Sequence, residues 1–108
     1  MQTRIFPLST NKQRTYILLT EVMGLFEPSI LGGKSKLFRA PRLANIQYGD
    51  GPVIEDDIDS TKKIFRSRSR FVVTRFLDDN NINVGDLLQI SKIAPFSYRI
   101  TAVNKAHQ

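Results

Sequence analysis

The chain has 108 residues, of which 41% are hydrophobic and 24% charged, and its formal net charge is +6 at pH 7. This length supports one domain with a single modest core and is too short for two. Cysteine is absent, which excludes disulfides, cysteine-bound metals and thiol nucleophiles.

Short extended runs separated by turn residues predict a mainly β fold. Two apolar, β-rich runs, residues 3–9 and 14–20, flank the polar segment 10–13. Residues 20–26 are predicted to form a short helix that ends ahead of Pro28, because a proline disfavours helical backbone in the residue before it.

A β-hairpin is predicted in the middle of the chain. Residues 42–48 alternate between apolar and polar side chains, which places Ala44 and Tyr48 on one face. The glycine-rich turn at residues 49–51 is a strong hairpin signal. We therefore expect residues 52–58 to return as the partner strand.

The remaining elements complete a β-rich domain. Residues 63–68 are predicted as a strand and residues 69–80 as a short helix that begins at the capping residue Ser69. Two final strands, residues 86–93 and 96–103, follow. About seven strands result, and we expect a seven-stranded open β-barrel with two short α-helices covering its openings.

The charged residues are segregated along the chain. Every charged residue from 61 to 77 is positive, and a second basic group precedes it. The two groups are Lys62, Lys63, Arg66, Arg68, Arg70 and Arg75, and Lys34, Lys36, Arg39 and Arg42. Acidic residues concentrate at residues 55–59 and 78–79. Such segregation favours a polyanionic partner.

Residue types suited to catalysis are scarce. The single histidine, His107, lies near the carboxyl terminus, which argues against a histidine-based triad. Residues 32–35 resemble the end of a phosphate-binding loop but lack its earlier glycine. We expect no catalytic residue, no metal and no cofactor in this chain.

The best enzymatic alternative is an acidic cluster. On a continuous strand Glu55, Asp57 and Asp59 share one face, because side chains alternate. Three carboxylates on one face could hold Mg²⁺ in a metal-dependent nuclease. Arg66 and its basic neighbours would share a face of the next strand, so cross-strand ion pairing is the simpler interpretation.

Two polar, basic loops between predicted strands carry the clearest binding signal. They contain Ser9, Thr10, Asn11, Lys12, Gln13 and Arg14, and Asp59, Ser60, Thr61, Lys62 and Lys63. Arg and Lys donate to guanine, Asn and Gln pair with adenine, and Asp accepts from cytosine. Ser, Thr and Lys suit phosphate oxygens. These loops predict contact with the major groove of DNA.

The order and spacing of several segments resemble one known family. The segments are residues 30–33 (an early loop), 49–66 (a central hairpin), 70–77 and 82–90 (a helix, a Gly-Asp turn and a strand) and 95–100 (a closing strand). Together they resemble B3-like DNA-binding domains of the bacterial branch found in restriction endonucleases, the EcoRII effector-domain type. The resemblance covers nearly all of residues 4–103.

This resemblance implies a DNA-binding pseudobarrel that contacts the major groove with two arms. The N-terminal arm would be residues 9–14, with Ser9, Asn11, Lys12, Gln13 and Arg14. The C-terminal arm would be residues 57–66, with Asp57, Asp59, Ser60, Lys62, Lys63 and Arg66. We expect phosphate contacts from Lys34, Lys36 and Arg68, and base contacts from Asn11, Gln13, Arg14, Asp59 and Lys63.

The expected partner is double-stranded DNA, recognised at a short base sequence. The resemblance further implies a catalytic nuclease domain in the same polypeptide and a bacterial source. No apolar run approaches the roughly 20 residues that span a bilayer, and no secretory signal is evident, so we expect a cytoplasmic, membrane-free protein that is monomeric as an isolated domain. The alternatives are the metal-dependent nuclease, an RNA- or single-strand-binding barrel and a module that binds an acidic protein.

Overall fold

The structure is a computed structural model that describes residues 2–9, 16–66 and 70–103, with the backbone alone at Lys36 and Arg70. The strands in these residues are β1 (Gln2–Pro7), β2 (Leu31–Gly32), β3 (Ala44–Tyr48), β4 (Val53–Asp56), β5 (Ile58–Asp59), β6 (Ile64–Phe65), β7 (Leu87–Ala94) and β8 (Ser97–Ala102). The α-helix α1 spans Arg70–Asp79, and 3₁₀ turns span Thr20–Leu25, Pro28–Ile30 and Lys36–Phe38.

The described strands form two sheets. One has five strands in the order β1-β7-β8-β3-β4, and the other has three in the order β2-β5-β6. Neighbours are antiparallel except β3 with β8 and β2 with β5. The mainly β class is therefore confirmed, whereas the described residues form two separate sheets and no closed barrel.

The predicted hairpin is present, and the two final predicted strands pair as a second hairpin. Both predicted helical segments are helical, but only the second is an α-helix. β3 pairs with β4 in the register Ala44↔Asp56, and β7 pairs with β8. The first turn depends on Gly49, whose φ of +59° is accessible to glycine at little cost. Residues 20–26 form the 3₁₀ turn Thr20–Leu25, and the second predicted helix is α1.

An aromatic cluster joins the two sheets and the helix. The ring of Tyr48, on β3, lies 6.4 Å from Phe65 on β6 and 6.0 Å from Phe76 on α1. Phe26 contacts Phe65 from the segment after the first 3₁₀ turn, at 6.0 Å. Alternation places Ala44 and Tyr48 on the buried face, as predicted. The core thus lies between the sheets, and α1 closes one side of it.

A partly buried carboxylate fixes the segment before β2 to the β7–β8 hairpin. Glu27 accepts hydrogen bonds from the Phe96 N–H (2.8 Å) and the Tyr98 hydroxyl, and pairs with Lys92 at 3.0 Å. Burial opposes ionisation of Glu27, but the hydrogen bonds from Tyr98 and Phe96 outweigh it. Together with Lys92 they lower the pKa of Glu27 to about 2.

Three strand predictions need correction. In the predicted strand 14–20, residues 16–19 form no strand. Ile17 and Leu19 are buried in the core, so their apolar character reflects packing and not pairing in a sheet. The predicted strand 63–68 is limited, in its described residues, to β6. The predicted strand 52–58 divides at Asp57, where the chain leaves the larger sheet as β4 and enters the smaller one as β5.

Candidate nucleic-acid interface

The site is organised around a buried ion pair between Asp57 and Arg66. Antiparallel pairing of Ile58 with Phe65 places these two residues opposite each other, just outside the ladder. Arg66 Nε donates to Asp57 Oδ1 at 2.7 Å, and Nη2 donates to Oδ2 at 3.0 Å. The two side chains are 11% and 2% exposed. This bidentate geometry is the stronger of the arrangements that arginine–carboxylate pairs adopt.

Both members of the pair are held in their charged forms. Burial opposes ionisation of Asp57, but hydrogen bonds from Arg66 and from the Ala40 N–H (2.7 Å) outweigh it and lower its pKa. The hydrogen bond to Asp57 raises the pKa of Arg66. The two charges therefore cancel inside the protein, and the pair acts as a structural element.

The same arginine fixes a neighbouring loop, residues 33–39, which we call the basic loop. Arg66 Nη2 donates to the Gly33 carbonyl at 2.7 Å, and Nη1 donates to the Ser35 carbonyl at 3.2 Å. At the amino end of the loop, the Gly32 carbonyl accepts from both the N–H (3.1 Å) and the hydroxyl of Ser60. The basic loop is thus fastened to the turn between β5 and β6, residues 60–63.

Gly32 is required by the closeness of these groups. A Cβ at this position would lie 2.5 Å from Arg66 Nη2, 2.6 Å from the Ala40 nitrogen and 2.6 Å from Asp57 Oδ2. No side chain fits without displacing the ion pair. This glycine was predicted to belong to an early loop that resembles the end of a phosphate-binding loop, whereas its structural role is to leave room for Arg66.

The acidic cluster is not arranged as predicted. Because the chain changes sheets at Asp57, alternation fails there: Glu55 is exposed, while Asp56, Asp57 and Asp59 are all buried. The predicted shared face of Glu55, Asp57 and Asp59 is therefore wrong. Among the described residues, no group of three or more His, Cys, Asp or Glu side chains could hold a metal ion.

Asp59 supports the turn that follows it. Its Oδ1 accepts from the N–H groups of Thr61 and Lys62, at 3.0 and 3.1 Å, a local pattern typical of an aspartate that begins a turn. Its carbonyl accepts from the Lys63 N–H at 2.7 Å. The carboxylate and the carbonyl of Asp59 together hold the backbone of residues 61–63 in the turn.

Lys63 connects the turn to the segment that follows the predicted N-terminal arm. Its φ is +59°, in the left-handed region, which is unfavourable for residues that carry a Cβ atom. Its carbonyl accepts from the Leu19 N–H at 2.8 Å. At the other end of the arm, Leu8 exchanges backbone hydrogen bonds with Gly85 and Asp86.

The structure describes only some of the predicted contact residues. Ser9, Lys34 and Lys62 are exposed, and Ser60 and Lys63 are half-buried. Asp57, Asp59 and Arg66 instead make the internal contacts given above. The others lie outside the described residues: Asn11, Lys12, Gln13, Arg14 and Arg68. For Lys36, the backbone is described but the side chain is not.

Two exposed apolar side chains at the site were not predicted from the sequence. Leu37 and Phe38, in the basic loop, are 90% and 68% exposed. Arg39, beside them, is exposed as well, whereas the guanidinium of Arg42 lies 3.8 Å from the ring centre of Phe96. The sequence signal that could have indicated this exposure is an apolar pair between two cations, Lys36 and Arg39, in a segment that follows two glycines.

Comparisons with models of protein families, with curated proteins and with solved structures give no match. No helix in residues 2–9, 16–66 and 70–103 has the length and apolar character needed to cross a membrane.

Proposed function

We propose that this chain binds double-stranded DNA and recognises a short base sequence through the major groove, with residues 9–14 and 57–66 as its two arms. We also propose that the two sheets correspond to the seven-stranded open barrel of B3-like domains. On this proposal the chain is the target-recognition domain of a bacterial restriction endonuclease, and the nuclease itself is a separate domain of the same polypeptide.

The observation that carries this proposal is the separation of charge around the Asp57–Arg66 pair. The buried carboxylates of Asp57 and Asp59 are neutralised internally, by Arg66 and by backbone N–H groups respectively. The loops that they support carry exposed cations, Lys34 and Lys62 among them. Loops that expose lysines while Asp57 and Asp59 are bonded within the protein suit a polyanion.

The fastening of the loops supports sequence recognition in addition to simple charge attraction. Phosphate contacts set the register of a protein on the duplex, and base contacts then read the sequence, so both depend on loops that are held in place. Ser60 and Arg66 hold the basic loop, and the Lys63–Leu19 hydrogen bond holds the end of the segment that follows the N-terminal arm. Both proposed arms therefore begin or end at fixed backbone positions.

The contacts suggest a division of roles among the predicted site residues. Lys34 and Lys62, which are exposed, are proposed phosphate contacts. Lys63, with Asn11, Gln13 and Arg14 of the N-terminal arm, is a proposed base contact. Asp57, Asp59 and Arg66 are proposed to position the two loops and not to touch DNA, because their polar groups are occupied within the protein.

The proposal is tested by selecting duplexes from a randomised pool and titrating the enriched site and a scrambled duplex over a range of salt concentrations. We expect the enriched site to bind at least about 10³-fold more tightly than the scrambled duplex. Lys34→Ala and Lys62→Ala should each weaken both duplexes alike and lower the salt slope by about 1.

Arg75→Ala is the matched control, because Arg75 is an exposed cation on α1 that pairs with Asp79 and lies outside both loops. It should leave the salt slope unchanged. Equal losses for all three variants would reduce the interaction to net charge and contradict the assigned site. Binding to RNA or single strands, with none to duplex DNA, would overturn the proposal.

A further inference from the structure

Two adjacent apolar side chains project from the basic loop into solvent. Leu37 and Phe38 lie in the 3₁₀ turn Lys36–Phe38 and are 90% and 68% exposed. Neither belongs to the described core cluster. Leaving two large neighbouring side chains in water forgoes the free energy that burial would supply. Their exposure is explained if they are buried against a binding partner.

The backbone presents this pair in a fixed position. The Phe38 N–H donates to the Ser35 carbonyl at 2.9 Å, and the Phe38 carbonyl accepts from the Gly33 N–H at 2.6 Å. Arg66 holds the carbonyls of Gly33 and Ser35 from beneath. Because these bonds already order the loop, a partner would bind it without a large additional loss of conformational entropy.

The charges around the pair favour a nucleic acid as that partner. Lys34 and Arg39, on either side of it, are exposed, and the loop is fastened to Ser60 in the turn that carries Lys62. An unstacked base step exposes apolar base faces between two phosphate backbones, which carry negative charge. An apolar pair bordered by cations is complementary to that arrangement.

We propose that Leu37 and Phe38 form a wedge that inserts between neighbouring base pairs of the bound duplex, while Lys34 and Arg39 contact phosphates beside the opened step. This inference rests on the proposed function and adds a contact outside the two arms. Insertion unstacks one base step and bends the duplex. Pyrimidine–purine steps unstack most easily, so such a step is expected beside the recognised bases.

The test places 2-aminopurine at successive adenine positions within and beside the enriched site, or in a mixed-sequence duplex if none is enriched. Wild-type protein should raise the fluorescence at one position, where the base is unstacked. Phe38→Ala should abolish this signal and weaken binding about ten-fold, and Leu37→Ala should reduce both. Neither variant removes a charge, so the salt slope should stay at its wild-type value.

Phe71→Ala is the matched control, since Phe71 is 91% exposed on α1, outside the basic loop. It should leave fluorescence and affinity unchanged. Thermal unfolding should show wild-type stability for all three variants, because each removes an exposed side chain and Phe38→Ala keeps the backbone hydrogen bonds of the loop.

The outcomes separate this inference from the proposed function. Specific duplex binding with no fluorescence change at any position, and with wild-type affinity in Phe38→Ala, would overturn the wedge and leave the DNA-binding proposal intact. Absence of duplex binding by the wild type would overturn both. If Phe38→Ala removes binding to phosphatidylserine vesicles but not to duplex DNA, the pair contacts lipid and the wedge is wrong.

Discussion

Gly32→Ala is expected to be among the most destabilising single-methyl changes in this chain. The new Cβ would lie 2.5 to 2.6 Å from Arg66 Nη2, the Ala40 nitrogen and Asp57 Oδ2. Forcing extra volume into a packed site costs typically about 1–3 kcal/mol, and breaking a buried ion pair costs about 3–5 kcal/mol. Arg66 is partly exposed and can move, so we expect a loss near 3 kcal/mol, from the middle of these ranges.

The assay is urea unfolding at neutral pH, with Gly24→Ala as the control, because no atom lies within 4 Å of a Cβ built at Gly24. Gly24→Ala should change the free energy of unfolding by less than about 1 kcal/mol. In an Arg66→Ala background, Gly32→Ala should cost less than it does alone, since contacting residues are not additive. Equal effects of Gly32→Ala and Gly24→Ala would refute the reasoning.

Two further predictions concern Glu27 and Lys63. The pKa of Glu27 is lowered from 4.5 to about 2, so its ionised form adds stability that is fully present above pH 4.5 and is lost as the pH falls towards 2. With allowance for solvent screening, the wild-type free energy of unfolding in urea should exceed that of Glu27→Gln by a margin that shrinks by about 2 kcal/mol across that interval. A constant difference would contradict this. Lys63→Gly should leave the free energy of unfolding unchanged or raise it by up to about 1 kcal/mol, because glycine accepts the left-handed backbone, but it should weaken binding to the enriched duplex by about 1–3 kcal/mol. Lys62→Gly is the control and should not stabilise the fold, because Lys62 has no positive φ. Tight binding by Lys63→Gly would refute the base contact.

Local rules were sufficient for the regular parts of this fold. The alternation of Ala44 and Tyr48 with polar neighbours, together with the turn at Gly49, correctly predicted the β3–β4 hairpin and its buried face. The strands β7 and β8 and the helix α1 were predicted for similar reasons. Such elements depend on neighbours within a few residues, so periodicity and turn chemistry describe them well.

Residues 55–59 show where local rules stop. Alternation assumes a continuous strand, and that assumption placed Glu55 with Asp57 and Asp59 on one face. The chain instead changes sheets at Asp57, which buries Asp56, Asp57 and Asp59 and leaves Glu55 in solvent. Nothing in the local pattern marks this point, because it depends on pairing with β2 and β6, which lie elsewhere in the sequence.

By itself, the sequence determined the mainly β class, the core face of β3, the turn at Gly49 and the separation of acidic from basic segments. The tertiary structure decided which acid pairs with which cation and which charges face solvent. Arg66 was predicted as a DNA contact and, alternatively, as a cross-strand ion-pair partner of the acidic strand. The ion pair is confirmed, with Asp57, and Arg66 also donates to the carbonyls of Gly33 and Ser35. Those partners lie 9 to 33 residues away along the chain. Whether a charge is paired or free depends on distances in space, which only the folded chain specifies.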